Sequence, residues 1–320
     1  MKSDVFYWLL NMSLHGGLVC LIVLCLRKLP RLPKGFVYAL WLLPALRLLL
    51  PFGVNSPWSL MALLEKLGTR RVTVVTDHYP VLVQPWLGYA ASQAPPAEEG
   101  LMSIMNSIQL AESYFPITYK TNVLAQVFET AALVWAIVAA ACVLTAAALY
   151  AFTRLEVRHA RRAEGYWISD RVTAPALYGI FRPRIILPEG IPVTSLPYIL
   201  CHERIHARRL DNVWRCAAVL ICCVHWFNPL CWLCLKYFFA DMELACDAAV
   251  LRKLAREKRK DYALALLEAA QPRTLFVSAF GGAKIRVRIE TVLSYKKLTA
   301  GAVAAFAALF IAIAATLILN

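Results

Sequence analysis

The sequence predicts a mainly α-helical membrane protein with four spans and one cytoplasmic domain that contains a small β-hairpin or sheet. Hydrophobic residues make up 60% of the chain and charged residues only 17%, which is more apolar than soluble proteins usually are. Apolar segments long enough to cross a bilayer recur along the chain. Basic residues cluster after the first and the third of these segments, so the net charge of +14 is expected at the inner membrane surface rather than on nucleic acid.

The predicted spans divide the chain into five parts. We predict two transmembrane helices in residues 1–52, an outside loop in 53–122, a third transmembrane helix in 123–152, a cytoplasmic domain in 153–296 and a fourth transmembrane helix in 297–320. The basic residues that fix the orientation are Arg27, Lys28, Arg31 and Lys34 after the first span, and Arg154, Arg158, Arg161 and Arg162 after the third. The positive-inside rule then places both termini outside and the large domain inside.

A His-Glu-x-x-His motif lies in residues 199–209, where it contributes His202, Glu203 and His206. Residues four apart share one face of a helix, so the two imidazoles can bind one Zn²⁺ while Glu203 reaches water at its open position. A catalytic zinc also needs a third protein ligand from elsewhere in the chain. The alternative is an exposed helix, because a polar face is offered by Arg204, Arg208, Arg209 and Asp211.

The third ligand is expected in residues 240–250, which favour a helix. Glu243 and Asp247 lie four residues apart there and share a face. We predict Glu243 as the third metal ligand and Asp247 as the carboxylate that accepts the free N–H of a ligating histidine. An acidic helix surface is the alternative, and the neighbouring Asp241 leaves the choice of carboxylate open.

The two motifs together resemble the gluzincin peptidases. Residues 174–188 and 225–230 narrow the resemblance to the BlaR/MecR-type antirepressor membrane metallopeptidases. The resemblance implies a multi-pass protein of the bacterial cell membrane with a gluzincin-like zinc peptidase domain, in which Glu203 is general base and then proton donor. It implies a cytoplasmic transcriptional repressor, the protein's own inner loop or both as substrate, and it leaves a homodimer open. Antibiotic-sensing members carry a penicillin-binding domain after the last span, and we expect this chain to lack it because the sequence stops at Asn320.

Three segments around the motifs carry further expectations. Residues 213–239 are apolar but interrupted by Asn228-Pro229, which predicts a re-entrant or interfacial helical hairpin, because a single crossing would separate the two motifs. Short β-prone runs precede the zinc helix, and residues 179–187 are expected either to hold an extended substrate as an edge strand or to be purely structural. Residues 272–288 are expected to form the inner loop that the protein could cleave.

Two other functions remain open from the sequence alone. A housekeeping membrane zinc protease would share every catalytic residue, and a non-catalytic zinc-stabilised signalling scaffold would bind the metal without turnover. The expected partners are the lipid bilayer and a repressor protein, with no direct contact to nucleic acid. The ten cysteines avoid the outside loop, which favours reduced thiols over a disulfide framework.

Overall fold

The computed structural model describes residues 2–29, 32–49, 122–180, 182–270, 284–296 and 299–318. In chain order the helices are α1 (Lys2–Leu26), α2 (Lys34–Leu40), α3 (Leu42–Leu49), α4 (Asn122–Glu156), α5 (Leu196–Arg208), α6 (Asp211–Val224), α7 (Pro229–Lys253), α8 (Arg259–Glu268), α9 (Ile285–Leu293) and α10 (Ala300–Ile318). The strands are β1 (Arg161–Ala163), β2 (Tyr166–Ser169), β3 (Ala176–Tyr178) and β4 (Arg184–Pro188). The prediction of a mainly helical chain with a small sheet is confirmed. Residues 53–121 of the predicted outside loop lie outside the described residues, and Asn122 is the first residue of α4.

Two of the described helices are long and apolar enough to cross a membrane. These segments are Val5–Leu26 and Val127–Glu156, and Ala300–Ala315 is apolar but shorter. The predicted second span instead contains α2 and α3, which are separated by a turn at Trp41. The break follows from Pro44, because a proline ring clashes with the carbonyl four residues earlier, here that of Leu40, the last residue of α2. The arrangement of four spans stays a prediction.

The chain forms two compact units. The first comprises Met1–Ile22, Leu42–Val138 and Gly301–Asn320, and in it the ring of Phe6 lies 6.3 Å from that of Phe128. The second comprises Val23–Trp41 and Ala139–Ala300. The second unit holds the sheet and both sequence motifs, and it includes residues 153–296. It also takes in the end of α1 and all of α2, which the sequence had assigned to the membrane part. The domain boundaries stay a prediction.

The sheet has four strands in the order β1-β2-β4-β3. β4 lies inside it, because Ile186 pairs in parallel with Trp167 of β2 and antiparallel with Ala176 of β3. The expectation that residues 179–187 form a free edge is therefore wrong, and β3 is the edge strand on that side. The chain reverses between β3 and β4 at Gly179, whose φ is +92° and whose position leaves no room for a Cβ, which would lie 2.9 Å from the carbonyl oxygen of Arg182.

Helix α5, which carries the His-Glu-x-x-His motif, lies between the sheet and a layer of helices. On one side Leu200 packs with Leu177 and Leu187 of the sheet. On the other side Ile205 packs with Val250 of α7 and Tyr262 of α8. Packing on both sides buries a helix whose sequence suggested an exposed face, and it fixes the rotation of the motif.

The break predicted at Asn228-Pro229 is present, because α6 ends at Val224 and α7 begins at Pro229. The re-entrant or interfacial placement of this helical pair stays a prediction. Asn228 is the N-cap of α7, and its side-chain oxygen accepts a hydrogen bond of 2.9 Å from the backbone N–H of Leu230. Pro229 occupies the first helical position. A backbone N–H at that position has no acceptor within the helix, so the proline costs no hydrogen bond. Helix α7 then returns past α5 and brings Glu243 to the histidines.

Candidate metal centre

The structure brings all five predicted site residues together where α5 meets α7. The Nε2 atoms of His202 and His206 lie 3.0 Å apart. The Oε2 atom of Glu243 lies 3.5 Å from Nε2 of His202 and 3.8 Å from Nε2 of His206. Glu203 is buried beside them, and Asp247 follows Glu243 by one helical turn.

This donor set fits a small divalent metal ion. A tetrahedral zinc ion with bonds of about 2.0–2.1 Å spaces its ligand atoms about 3.3 Å apart. The three separations between Nε2 of His202, Nε2 of His206 and Oε2 of Glu243, from 3.0 to 3.8 Å, lie around that value. The side chains can thus meet at one ion with small adjustments of rotamer.

Each histidine has a hydrogen-bonding partner on its other ring nitrogen. Nδ1 of His202 lies 3.0 Å from the hydroxyl of Tyr262 and 3.2 Å from Oδ1 of Asp247. Nδ1 of His206 lies 2.6 Å from Oδ2 of Asp211. The carboxylates can only accept, so the network assigns the proton of each neutral ring to Nδ1. Both Nε2 atoms are then acceptors that face the site, and that of His202 lies 3.3 Å from a terminal nitrogen of Arg288.

Asp211 is completely buried, so the alternative of an exposed polar face that includes Asp211 is wrong. The reason is the backbone at Leu210, which adopts a left-handed conformation with φ 55° and ψ 37°. This turn ends α5 and starts α6 within two residues, which brings Asp211 back against His206. A left-handed leucine is strained, and such strain persists only where the surroundings impose it.

Two arginines surround the carboxylates of α7. Arg288, on α9 and 4% exposed, donates from Nε and from the second terminal nitrogen to the two oxygens of Asp247, both at 2.8 Å. A terminal nitrogen of Arg288 also lies 3.4 Å from Oε2 of Glu243. Arg215 donates to the other oxygen, Oε1, at 2.8 Å. Arg288 lies on a helix, so the prediction of a loop over residues 272–288 is wrong at its end, where α9 begins at Ile285. Residues 272–283 lie outside the described residues.

The third acidic residue of α7 does not face the histidines. Asp241 accepts hydrogen bonds from Arg27 at 3.0 and 2.9 Å and from the indole of Trp41 at 2.9 Å. These partners lie on the opposite side of α7 from the pocket. Among the acidic residues that the sequence left as candidates, Glu243 is the one whose oxygen lies near both Nε2 atoms.

Cys246 provides a second possible donor set. Its sulfur lies, together with nitrogens of His202 and His206, within a group of atoms no more than 4.8 Å apart. The thiol donates to the main-chain carbonyl of His202 at 3.4 Å. Nothing in the motif spacing of the sequence distinguished this cysteine.

The carboxylates of Glu243 and Asp247 are ionised at neutral pH. Burial raises the pKa of Glu243, but the charge of His206, the hydrogen bonds of both histidines and the charge of Arg288 outweigh burial and lower it well below its ordinary value. Burial likewise opposes ionisation of Asp247, and the charge and hydrogen bonds of Arg288 lower its pKa. An ionised carboxylate is what a metal ligand and a histidine acceptor require.

A cavity opens beside these residues, between α5 and the edge strand β3. Its lining includes His202, Glu203, His206 and Glu243 from the helices and Tyr178 from β3. Burial, together with the carboxylates of Glu156 and Glu203, raises the pKa of Tyr178 to about 12. The phenol therefore stays protonated at neutral pH and can donate a hydrogen bond to a molecule in the cavity.

One protein family and several known proteins resemble this chain. The BlaR1 peptidase M56 family matches residues 7–290. The regulatory protein BlaR1 of Bacillus licheniformis is 33% identical over 138 residues, which is 40% of this chain and 23% of that relative. The methicillin resistance mecR1 protein of Staphylococcus aureus is 26% identical over 106 residues, 32% of this chain and 18% of that protein. The matched stretches thus span less than a quarter of each relative, whereas the family match spans most of this chain. The chain belongs to the BlaR1 peptidase M56 family.

Proposed function

We propose that this chain is a membrane zinc endopeptidase of signal transduction. In this proposal His202, His206 and Glu243 bind zinc, and an outside signal leads to cleavage of a cytoplasmic transcriptional repressor, of the chain's own inner loop, or of both. The observation that carries the proposal is the convergence of two imidazole nitrogens and one carboxylate oxygen within 3.8 Å of one another in a buried pocket. Membership of a peptidase family supports it.

The surrounding residues would prepare the ligands for the ion. Asp247 orients His202 and Asp211 orients His206, and acceptors of this kind make a ligating imidazole more basic. Arg215 donates a hydrogen bond to Oε1 of Glu243, which leaves Oε2 for the metal. Zinc supplies a Lewis acid that polarises a peptide carbonyl and makes a water molecule more acidic.

Glu203 is assigned the proton transfers. It is 7% exposed and lines the same cavity as the two histidines. Because it follows His202 directly, its carboxylate faces the cavity without belonging to the ligand set. As general base it takes a proton from the attacking water, and it then donates that proton to the leaving amine.

An extended peptide is proposed to bind along β3. This strand is the edge of the sheet, and Ala176, Leu177 and Tyr178 line the cavity. Addition of a strand to an edge supplies main-chain hydrogen bonds that do not depend on sequence. Asn212 donates to the carbonyl oxygens of Leu177 and Gly179 at 2.9 and 3.0 Å, so the part of the edge open to a peptide would lie before Leu177.

We place the peptidase domain, residues 153–296, at the cytoplasmic face of a bacterial cell membrane, with four spans and both ends of the sequence outside. The two long apolar helices and the basic residues that follow them support this placement. The lipid bilayer is then a partner, and a homodimer is compatible with the proposal. One relative is named a regulatory protein and the other a resistance protein, which supports a regulatory role.

The test is Glu203→Gln in the full chain, with Glu164→Gln as the matched control because Glu164 is exposed on the same domain. The exchange preserves size and the metal ligands but removes the base. We expect proteolysis to fall about 10²- to 10⁴-fold while zinc content stays unchanged, and the control to cleave normally. The substrates are residues 272–288 of the same chain, tethered at high effective concentration, and co-expressed repressors.

The outcomes separate the three functions. Cleavage by the wild-type protein and the control, but not by Glu203→Gln, supports the signalling peptidase. Zinc-loaded wild-type protein that leaves both substrates intact under all inducing conditions would instead be the scaffold. Cleavage of unrelated membrane proteins with the repressors left intact would indicate the housekeeping protease.

A further inference from the structure

The segment Val23–Trp41 packs with the peptidase domain rather than with the rest of α1 and α3. Helix α2 lies along α7, with the ring of Tyr38 stacked on that of Phe238 at a centroid distance of 5.6 Å and an interplanar angle of 17°. Three polar side chains of this segment reach the surroundings of the candidate metal centre. We call Arg27, Tyr38 and Trp41 the clamp.

The first arm of the clamp ends at His206. The hydroxyl of Tyr38 donates to Oδ1 of Asp211 at 3.1 Å, while Oδ2 of the same carboxylate lies 2.6 Å from Nδ1 of His206. Arg209 also reaches Oδ1 at 3.3 Å and lies 4.4 Å from the centre of the Tyr38 ring. One buried carboxylate therefore links a side chain of α2 to a candidate metal ligand.

The second arm ends on the helix of Glu243. Asp241 lies two residues before Glu243 and is 3% exposed. It accepts two hydrogen bonds from Arg27, just beyond the end of α1, and one from Trp41, at the end of α2. The guanidinium of Arg27 also lies 4.1 Å from the centre of the Tyr237 ring. The same short segment therefore holds both the imidazole side and the carboxylate side of the centre.

We propose that the clamp is a set of positioning residues for the metal centre. Tyr38 sets the orientation of His206 through Asp211, and Arg27 with Trp41 sets the position of the helix that carries Glu243. The proposal rests on the proposed zinc site and adds a regulatory route to it. A displacement of α2 reaches both His206 and the helix of Glu243, and a displacement at the end of α1 reaches the helix of Glu243 through Arg27.

The expected size follows from the distance of the clamp from the ion. Loss of a direct partner of a metal-bound histidine weakens metal binding about 10- to 100-fold. Tyr38 acts one hydrogen bond further out, so its loss should weaken zinc binding by less, about 3- to 10-fold. Coupling between two sites is reciprocal, so zinc binding must in turn restrict the clamp.

The experiment measures zinc binding to the full chain in nanodiscs, by competition with a chromophoric chelator. The variants are Tyr38→Phe and, for the second arm, Asp241→Asn, and the control is Tyr166→Phe, since Tyr166 is a half-buried tyrosine of β2 in the same unit. Tyr38→Phe changes the clamp itself and Asp241→Asn changes the acceptor of its second arm, and we call these two the clamp variants. Both should bind zinc about 3- to 10-fold more weakly, and the control should bind like the wild-type protein.

Hydrogen–deuterium exchange provides a readout that a merely structural role would not move. Zinc should slow exchange in α2 of the wild-type protein, and this zinc-dependent part should be lost in Tyr38→Phe. Wild-type zinc affinity and wild-type exchange in both clamp variants, with weakened binding in Asp211→Asn, would overturn the clamp and leave the zinc site standing. A wild-type protein that binds no zinc would overturn the proposed function itself.

Discussion

Arg288 and Asp247 form a buried, bidentate ion pair in which both nitrogen–oxygen distances are 2.8 Å. The pair joins α9 to α7 across 41 residues of sequence. Asp247 is fully buried and also accepts from Tyr262 at 2.6 Å. The pair thus ties α9 to the carboxylate that lies 3.2 Å from Nδ1 of His202.

Loss of this pair should destabilise the fold more than loss of an exposed one. Arg288→Met leaves the charge of Asp247 buried without its main partner, and such changes cost about 3–5 kcal/mol. Arg286→Met is the matched control, because Arg286 lies on the same helix and pairs with Glu290 at 2.8 Å on the exposed surface. Chemical denaturation should show a large loss for the first variant and no measurable change for the second. Equal effects would contradict the structural role assigned to Arg288.

The choice between Glu243 and Cys246 as third ligand can be decided by metal content. Glu243→Ala should lose tightly bound zinc, because only the two histidines remain, whereas Cys246→Ser should keep it. Asp247→Ala should weaken affinity about 10- to 100-fold without abolishing binding. Zinc per protein after dialysis measures all three. Full occupancy in Glu243→Ala together with loss in Cys246→Ser would make the thiol the ligand.

The main site residues could be predicted because they depend on helical spacing alone. His202 and His206, and likewise Glu243 and Asp247, are four residues apart, so any helix places each pair on one face. The apolar run broken at Asn228-Pro229 also gave the hairpin that brings the two helices together.

The residues that complete the site could not be predicted, because tertiary packing places them. Arg288 and Tyr262 reach the pocket from helices with no recognisable motif, and Asp211 reaches it through a left-handed turn at a leucine, where glycine would have been the signal. The break at Trp41 was within reach of the sequence, since Pro44 marks it.

The turn at Leu210 should respond to substitution in two directions. Glycine adopts φ of 55° without strain, so Leu210→Gly should raise stability slightly, by about 0.5 kcal/mol after its own entropy cost. A β-branched residue fits this conformation worst, so Leu210→Ile should lower stability by about 1 kcal/mol. Leu264→Ile is the control, because Leu264 lies within α8 and is 58% exposed, compared with 55% for Leu210. Denaturation curves that rank glycine below isoleucine would contradict the role of backbone strain.

In the proposed peptidase, Tyr178 of β3 would donate a hydrogen bond to the carbonyl oxygen under attack. Its phenol lines the cavity with Glu203, and burial with the nearby carboxylates of Glu156 and Glu203 raises its pKa to about 12. The folded pKa lies above the unfolded value of about 10. The stabilisation by the neutral phenol is therefore complete below pH 10 and lost as the pH rises through about 12.

Tyr178→Phe should consequently lower kcat for whichever substrate the wild-type protein cleaves, and should leave KM nearly unchanged. Removal of one donor to a developing oxyanion costs about 10²- to 10³-fold in kcat. Tyr166→Phe on strand β2 of the same sheet is the control and should cleave at the wild-type rate. Because the phenol stays protonated, the wild-type rate should show no loss from this group below pH 10, and the ratio of the two rates should stay constant from pH 6 to 9. A rate for Tyr178→Phe equal to that of the control would assign the donor to another residue of the cavity.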